Sequence, residues 1–394
     1  MILVVADDIS GAAEIAGIGW RCGLAAQVQT RFVPEAGADL IVVSTGTRSV
    51  AEDKARSTVE ALAHYLSDTD VSWCYKKVDS VLRGHVCVEL DVLMKELAKP
   101  RAILAPANPS RGRTIVGGRY WVDGQPLHET DFANDPEYPA TSCQVTDLLD
   151  ARGCPVVVLN HSVYQGHEEG IVVAEAEHQQ DLSCWAAKVD DGTLASGGSD
   201  FFSALLEERI APGRARPASE IVRTAKSKLF VCGSASEYSR RAVRRAQHLG
   251  ISVCPMPDSL LGGGTSRELL IEQWTEEVLC ALRADGRAIV AIAEPVVRDV
   301  PLARQVAAHM ATLTEVVVRC TAIGELVLEG GATAEAVLAR LGWKTWEVLG
   351  EYEPGVVQLH AMGEENLLVT VKPGSYPWPA DIWNLCREGT SYAK

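Results

Sequence analysis

Residues 1–17 read MILVVADDISGAAEIAG, and the passage from apolar to acidic inside this stretch decides how the chain folds. Residues 2–6 form an unbroken, β-branched apolar run that ends abruptly in acids, the mark of a short strand buried on both faces. Small residues follow the Ser10-Gly11 turn, as expected for a helix lying close on that strand. Asp7 and Asp8 therefore fall at the strand's carboxyl end. A buried, unpaired carboxylate is strongly disfavoured, so something must use these two acids or water must reach them. Because side chains alternate along a strand, one is expected to face a cleft and the other to brace the turn. Helix capping by both is the plainer alternative.

The same alternation recurs outward from this stretch. Short β-branched runs (ILVVA, LIVVS, AILAPA, PVVVL) are separated by amphipathic stretches such as EDKARSTVEALAHYL, in which Ala55, Val59, Leu62 and Leu66 share a helical face. After the helix-like FFSALLEERI comes APGRARPAS, the best linker candidate at residues 211–219, dividing a domain of residues 1–215 from one of 216–394. A second series, KLFVC, ISVCPMP, RAIVAIAEP, EVVVRC and ELVLEGG, reads as further strands with helical patterns between them. The fold class expected is α/β: two α/β domains with mainly parallel sheets facing each other across an active-site cleft. Ligands of such sheets sit beyond the carboxyl ends of the strands.

The totals agree with this reading. A chain of 394 residues exceeds one ordinary core and fits two domains. With 47% hydrophobic and 23% charged residues, and no apolar run near the ~20 residues of a membrane span, it reads as globular and outside the membrane. The opening run lacks a basic n-region and meets acids at once, so it is a core strand and not a secretion signal; a cytoplasmic location is expected. Eleven cysteines without a CxxC pair read as reduced thiols, not disulfides or a zinc site. A formal net charge of −15 repels polyanions, which argues against nucleic-acid partners. An anionic ligand would need a locally basic pocket.

Several constellations carry chemistry. In KKVDSVLRGH, Lys76, Lys77, Asp79, Arg83 and His85 crowd the end of the strand-like WCY. A forked guanidinium such as Arg83 can grip a carboxylate, Lys76 offers a point charge and Asp79 can orient either. A long Pro- and Gly-rich stretch, LAPANPSRGRTIVGGRYWVDGQPLHETDFANDPEYP, holds Arg111, Arg113 and Thr114, which could bind an anion, and VDG reads as a hairpin turn. In the second half, ELVLEGGATAEAVLARLG reads strand, two glycines (Gly330, Gly331), then helix from Thr333. KLFVCGSASEYS places Gly233, Ser234 and Ser236 between a strand and a helix, and LLVTVKPGSYPWP ends a strand in Lys372, Pro373, Gly374 and Ser375. Glycines let phosphate approach the backbone and helix N-termini offer free N–H groups, so these three strand ends suggest a nucleotide-phosphate site made of backbone amides. GK never occurs, so there is no Walker A loop, and GxSxG and HExxH are absent too. GIGWRCG superficially resembles a dinucleotide fingerprint but lies inside the first helix.

At ADDISGA, KKVDSVLRGH, the PANPSRGRT to DFANDPEYP region, EGGATA and KPGS, in this order and over nearly the full length, the sequence resembles the four-carbon acid sugar kinase family. The resemblance implies an ATP-dependent kinase that phosphorylates a hydroxyl of threonate, erythronate or an oxo-tetronate. It further implies a sugar acid in the N-terminal domain and the nucleotide in the C-terminal one; ATP and Mg2+ are the cofactors expected. It assigns Asp7, Asp8, Lys76, Asp79 and Arg83 to the sugar side; on that reading Arg83 and Lys76 are expected to clamp the carboxylate and Asp7 or Asp8 to receive or orient the hydroxyl proton. The GSAS serine, Gly330, Gly331, Thr333 and Gly374 fall to the ATP side. The partners expected are thus a small sugar acid and ATP, with no nucleic acid and no membrane, and a homodimer left open. Two positions depart from the family pattern: Ala332, where many relatives carry an acid, and KPGSYP, where many have KSGNFG. Ala332 is the feature that favours the alternative, a sugar-acid-binding sensor that kept the kinase frame.

Overall fold

The computed structural model describes residues 1–34, 37–66, 69, 71–135, 137–151, 153–210, 216, 221, 227–261, 266–292, 299–363 and 367–385. The chain divides into two compact units, Met1–Arg216 and Pro217–Lys394. Apart from Arg216, the linker candidate at 211–219 lies outside the described residues.

Unit one runs β1 (Ile2–Ala6), α1 (Ile9–Arg21), β2 (Ala26–Gln29), β3 (Leu40–Ser44), α2 (Glu52–Leu66), β4 (Trp73–Lys77), α3 (Val86–Glu96) and β5 (Arg101–Ala105). It continues with β6 (Arg113–Val116), β7 (Arg119–Val122), β8 (Gln125–Pro126), α4 (Val145–Leu148), β9 (Val156–Leu159), β10 (Gly170–Ala174), α5 (Gln179–Ala186), β11 (Thr193–Gly197) and α6 (Ser199–Arg209). Eight strands pair in parallel in the order β2-β3-β1-β4-β11-β5-β10-β9. All five residues of β1 are buried, as expected of a central strand covered on both faces. The chain winds from β1 toward β2 on one side and then crosses to β4 on the other, so the order reverses between β1 and β4. Such a reversal opens a crevice at the carboxyl ends of the two strands.

Strands β6 to β8 form a separate antiparallel ribbon. Its VDG turn has Asp123 at φ 50 and Gly124 at φ 77, the left-handed pair that a tight two-residue hairpin requires.

Unit two runs β12 (Lys228–Cys232), α7 (Glu237–His248), β13 (Ser252–Pro255), α8 (Arg267–Asp285), β14 (Arg287–Ala291), α9 (Val300–Cys320) and β15 (Glu325–Glu329). It ends with α10 (Gly331–Leu341), β16 (Thr345–Glu353), β17 (Val356–Ala361) and β18 (Leu368–Lys372). The order β13-β14-β12-β15-β18 is parallel, and β17 and β16 extend it antiparallel. Among the described residues no helix is long and apolar enough to cross a membrane, and ten described cysteines are free thiols.

One expected strand is wrong: EVVVRC is the last turn and a half of α9. Met310, Leu313, Thr314 and Val317 are buried at helical spacing, so the valines continue an apolar helix face. Valine's reluctance to be helical amounts to well under ~1 kcal/mol per residue, less than that packing returns. A smaller shift concerns α10, which begins at Gly331 and not at Thr333.

Candidate active site

In unit one the polar residues gather where the strands end. Asp8 is the N-cap of α1: its Oδ1 accepts from the Gly11 N–H at 3.0 Å and its Oδ2 from the Ser10 hydroxyl. This fixes the turn out of β1. Asp7 instead receives a forked guanidinium, Arg48 Nε at 2.7 Å and Nη2 at 2.9 Å. The same Nη2 reaches Asp8 Oδ1 at 2.8 Å, and Arg48 Nη1 lies 3.6 Å from Asp79 Oδ1. Asp7 and Asp8 thus do not part company as alternation along a strand would have them. The chain leaves strand geometry at Asp7, and both carboxylates converge on one half-buried cation, Arg48. Arg48 was missed by sequence reasoning, although it sits in STGTRSV, just past the end of β3, where the rule that selected the other residues applies equally.

Asp79, beyond β4, accepts from Arg83 Nε at 2.9 Å and Nη2 at 2.8 Å, while Arg83 Nη1 donates to Asp135 at 2.8 Å. The long loop that carries Asp135 is tied down at further points. Glu137 accepts from the Ser49 hydroxyl, the Tyr138 hydroxyl donates to the Arg48 carbonyl, and the Phe132 ring takes the guanidiniums of Arg83 at 5.8 Å and Arg113 at 5.3 Å. Buried Arg113 also donates to the Ser80 hydroxyl. Arg111 is half-buried in the turn after β5.

One of the expected substrate contacts is corrected by this geometry. Lys76 is fully buried and pairs with Glu89 of α3 at 2.5 Å, so its ammonium is sealed in the interior and cannot clamp a ligand carboxylate. Arg83 lies beside the site with its fork on Asp79, the acid expected to orient it.

The electrostatics follow from these pairs. Burial pushes the Asp7 carboxyl up, yet Arg48 by charge and hydrogen bond, helped by Lys76 and Lys77, outweighs it and holds the group below the usual aspartate range. Asp79 feels the same opposition, burial against Arg83 and Arg48, and is held far below that range. The Arg48 guanidinium gains correspondingly: burial opposes its charge, and Asp7, Asp8 and Asp79 more than restore it. Depressed folded-state values stabilise the fold above the unfolded aspartate pKa of ~4, and that stability drains as pH falls toward the folded values. Melting temperature is expected to fall from about pH 5 to about pH 3, and less steeply in Asp79→Asn. An equal slope in that variant would remove Asp79 as a source.

In unit two three strand ends meet. Past β12, the Ser234 and Ser236 hydroxyls donate to the Gly374 carbonyl at 3.3 and 3.0 Å, and Ser236 caps α7. Past β15, the Gly330 N–H donates to the Lys372 carbonyl at 2.9 Å, and at φ 91 Gly330 takes a conformation that side chains oppose. Gly233 is required for a different reason: a Cβ there would stand 1.8 Å from Thr333 Oγ1. Ser234, Ser236, Gly330, Gly331, Thr333 and Gly374 are thus brought together, with the N-terminus of α10 at their centre, and Ser375 lies exposed beside Gly374. Lys372 is the exception. It is fully buried, its Nζ 2.9 Å from Glu329 Oε1, so the reading of it as a phosphate contact is corrected.

Residues 2–205 match the family model described as a sugar-binding N-terminal domain, and residues 229–376 the model of a nucleotide-binding C-terminal domain. The chain is 28% identical to a D-threonate kinase of Salmonella typhimurium over 90% of its own length and 89% of that protein's. It is 26% identical to a 3-oxo-tetronate kinase of Methylobacterium radiotolerans, covering 94% and 95%. A solved structure from Salmonella typhimurium LT2 shares the fold, with a TM-score of 0.76 at 21% identity over 95% of this chain and 96% of that one. The chain belongs to the four-carbon acid sugar kinase family, a sugar-binding N-terminal domain followed by a nucleotide-binding C-terminal domain.

Proposed function

We propose that the protein is an ATP-dependent kinase that phosphorylates a hydroxyl of a four-carbon sugar acid such as threonate, erythronate or an oxo-tetronate. The observation that carries this reading is the convergence of three strand-end turns in unit two, where backbone N–H groups and the hydroxyl of Thr333 offer donors to phosphate oxygens without a lysine, while the Ser234 and Ser236 hydroxyls hold the Gly374 carbonyl in place. The kinases named above, similar over nearly the whole chain, support the choice of reaction and of substrate class.

On the sugar side the carboxylate oxygens are unequally engaged. Asp8 Oδ1 already takes two donors and Oδ2 one, whereas each oxygen of Asp7 takes a single donor from Arg48. Asp7 is therefore the better acceptor for a substrate hydroxyl, and Asp8 holds the turn. An aspartate kept this acidic by Arg48 orients the hydroxyl and receives its proton late, which suits a reaction governed by positioning and charge neutralisation. Arg113 and Arg111 supply positive charge for the substrate carboxylate.

Mg2+ enters with ATP as part of the substrate. Among the described residues no group of three or more His, Cys, Asp or Glu side chains could hold a metal. That fits Mg2+, which keeps several waters and leans on phosphate oxygens in place of a protein cage.

ATP consumption measured over a panel of tetronates, 3-oxo-tetronates and longer aldonates tests the reading. Turnover is expected with one or more four-carbon acids and to fall at least about tenfold with each extra carbon, since a misplaced hydroxyl loses the positioning that drives the step. Binding of a tetronate without ATP consumption would favour the sensor reading.

A further inference from the structure

We infer that Lys372, Glu329 and Trp378 form a bracket that positions the phosphate-binding turn of unit two without touching the nucleotide; the inference rests on the nucleotide reading of that unit. Glu329 and Lys372 are the last residues of β15 and β18, directly opposite each other in register, and both are wholly buried. Four parts of the unit meet at the Glu329 carboxylate. Lys372 of β18 lies 2.9 Å from Oε1, the Trp378 indole N–H donates to the same oxygen at 2.9 Å, and the Ser239 hydroxyl of α7 donates to Oε2. Trp378 carries the Lys372 ammonium 4.9 Å from its ring centroid and stacks on Trp383 at 4.7 Å. Its faces are thereby engaged, which makes it an anchor and not a platform for a base.

The bond that gives this cluster a role is the one from Lys372 Nζ to the Pro373 carbonyl, 2.9 Å. In a planar trans peptide the carbonyl and the following N–H point to opposite sides. Drawing the Pro373 oxygen inward to the ammonium turns the Gly374 N–H outward, while the Gly374 carbonyl is held by Ser234 and Ser236. The turn is thus clamped on two successive peptide groups. A sealed ion pair contributes little net stability compared with apolar packing of the same volume, and its better-attested use is to specify one geometry. Here that geometry is the direction of a backbone donor.

The test is steady-state kinetics with Mg·ATP varied, together with ADP titration by calorimetry, on the unsubstituted protein, the charge-free Glu329→Gln/Lys372→Met double variant, and Trp378→Phe. The double variant is expected to raise the KM for ATP and the Kd for ADP about tenfold or more, with kcat at saturating ATP and the KM for the sugar acid within about threefold, the split expected when binding shared by ground and transition states is lost. Trp378→Phe, which keeps the ring and drops the N–H, should shift the same two constants by a smaller factor. It carries the test if the double variant does not fold. A fall in kcat with an unchanged KM for ATP would overturn the bracket by making Lys372 a direct participant, and unaltered constants in folded variants would overturn it as well. Absence of ADP binding by the unsubstituted protein would instead strike at the nucleotide reading itself.

Discussion

Asp7→Asn is expected to lower turnover by about 100-fold or more, the usual worth of a positioned proton acceptor, while the chain stays folded. Asparagine keeps the volume and one oxygen for Arg48, so the packing around β1 is preserved. What it loses is the charge that orients an incoming hydroxyl, and its amide meets that hydroxyl with a donor where an acceptor is needed. The loss should fall on kcat with the KM for ATP unchanged, because the turns proposed to bind phosphate belong to the other unit. Asp8→Asn is expected to cost less: asparagine caps a helix about as well as aspartate, so α1 keeps its start. Full activity in both variants would remove the pair from the chemistry.

The contrast between these two acids shows what could be read in advance. That ILVVA is a buried strand and that ADD lies at its end followed from apolar patterning alone. That GSAS, EGGAT and KPGS are turns at strand ends was equally legible, although the order β12-β15-β18 that lays them side by side comes from the structure. Which charges meet inside was not. Lys76 and Lys77 are adjacent on β4 and send their side chains to opposite faces, where Glu89 of α3 and Glu14 of α1 receive them. Both glutamates are buried on helix faces where a carboxylate would ordinarily read as solvent-exposed. Arg48 and Asp7 are 41 residues apart, and Lys372 and Glu329 are 43 apart. Such partners are chosen by the sheet order, which no local pattern encodes. The misread EVVVRC has the converse origin: its local preference was visible, and the packing of α9 overrode it.

Arg48→Met should destabilise unit one by about 3–5 kcal/mol at neutral pH, the usual cost of removing one partner from a buried ion pair. Asp7 and Asp8 would keep their burial, at 4% and 7% exposure, and lose the charge that offsets it. The sign of the pH dependence then separates this cause from simple loss of packing. In the native chain Arg48 holds the Asp7 carboxyl below its ordinary value, so the pair stabilises above pH ~4 and weakens in acid. Without the guanidinium, burial dominates and raises the carboxyl in the folded state. The folded chain then binds protons more readily than the unfolded one, and stability is gained as pH falls toward the raised value. Melting curves of the two proteins should accordingly converge from pH ~7.5 to ~5 as the stranded Asp7 carboxylate takes up its proton. A deficit that stays constant over that range would mean that Arg48 acts through its aliphatic packing, and the charge network would lose its central place in the sugar-side site.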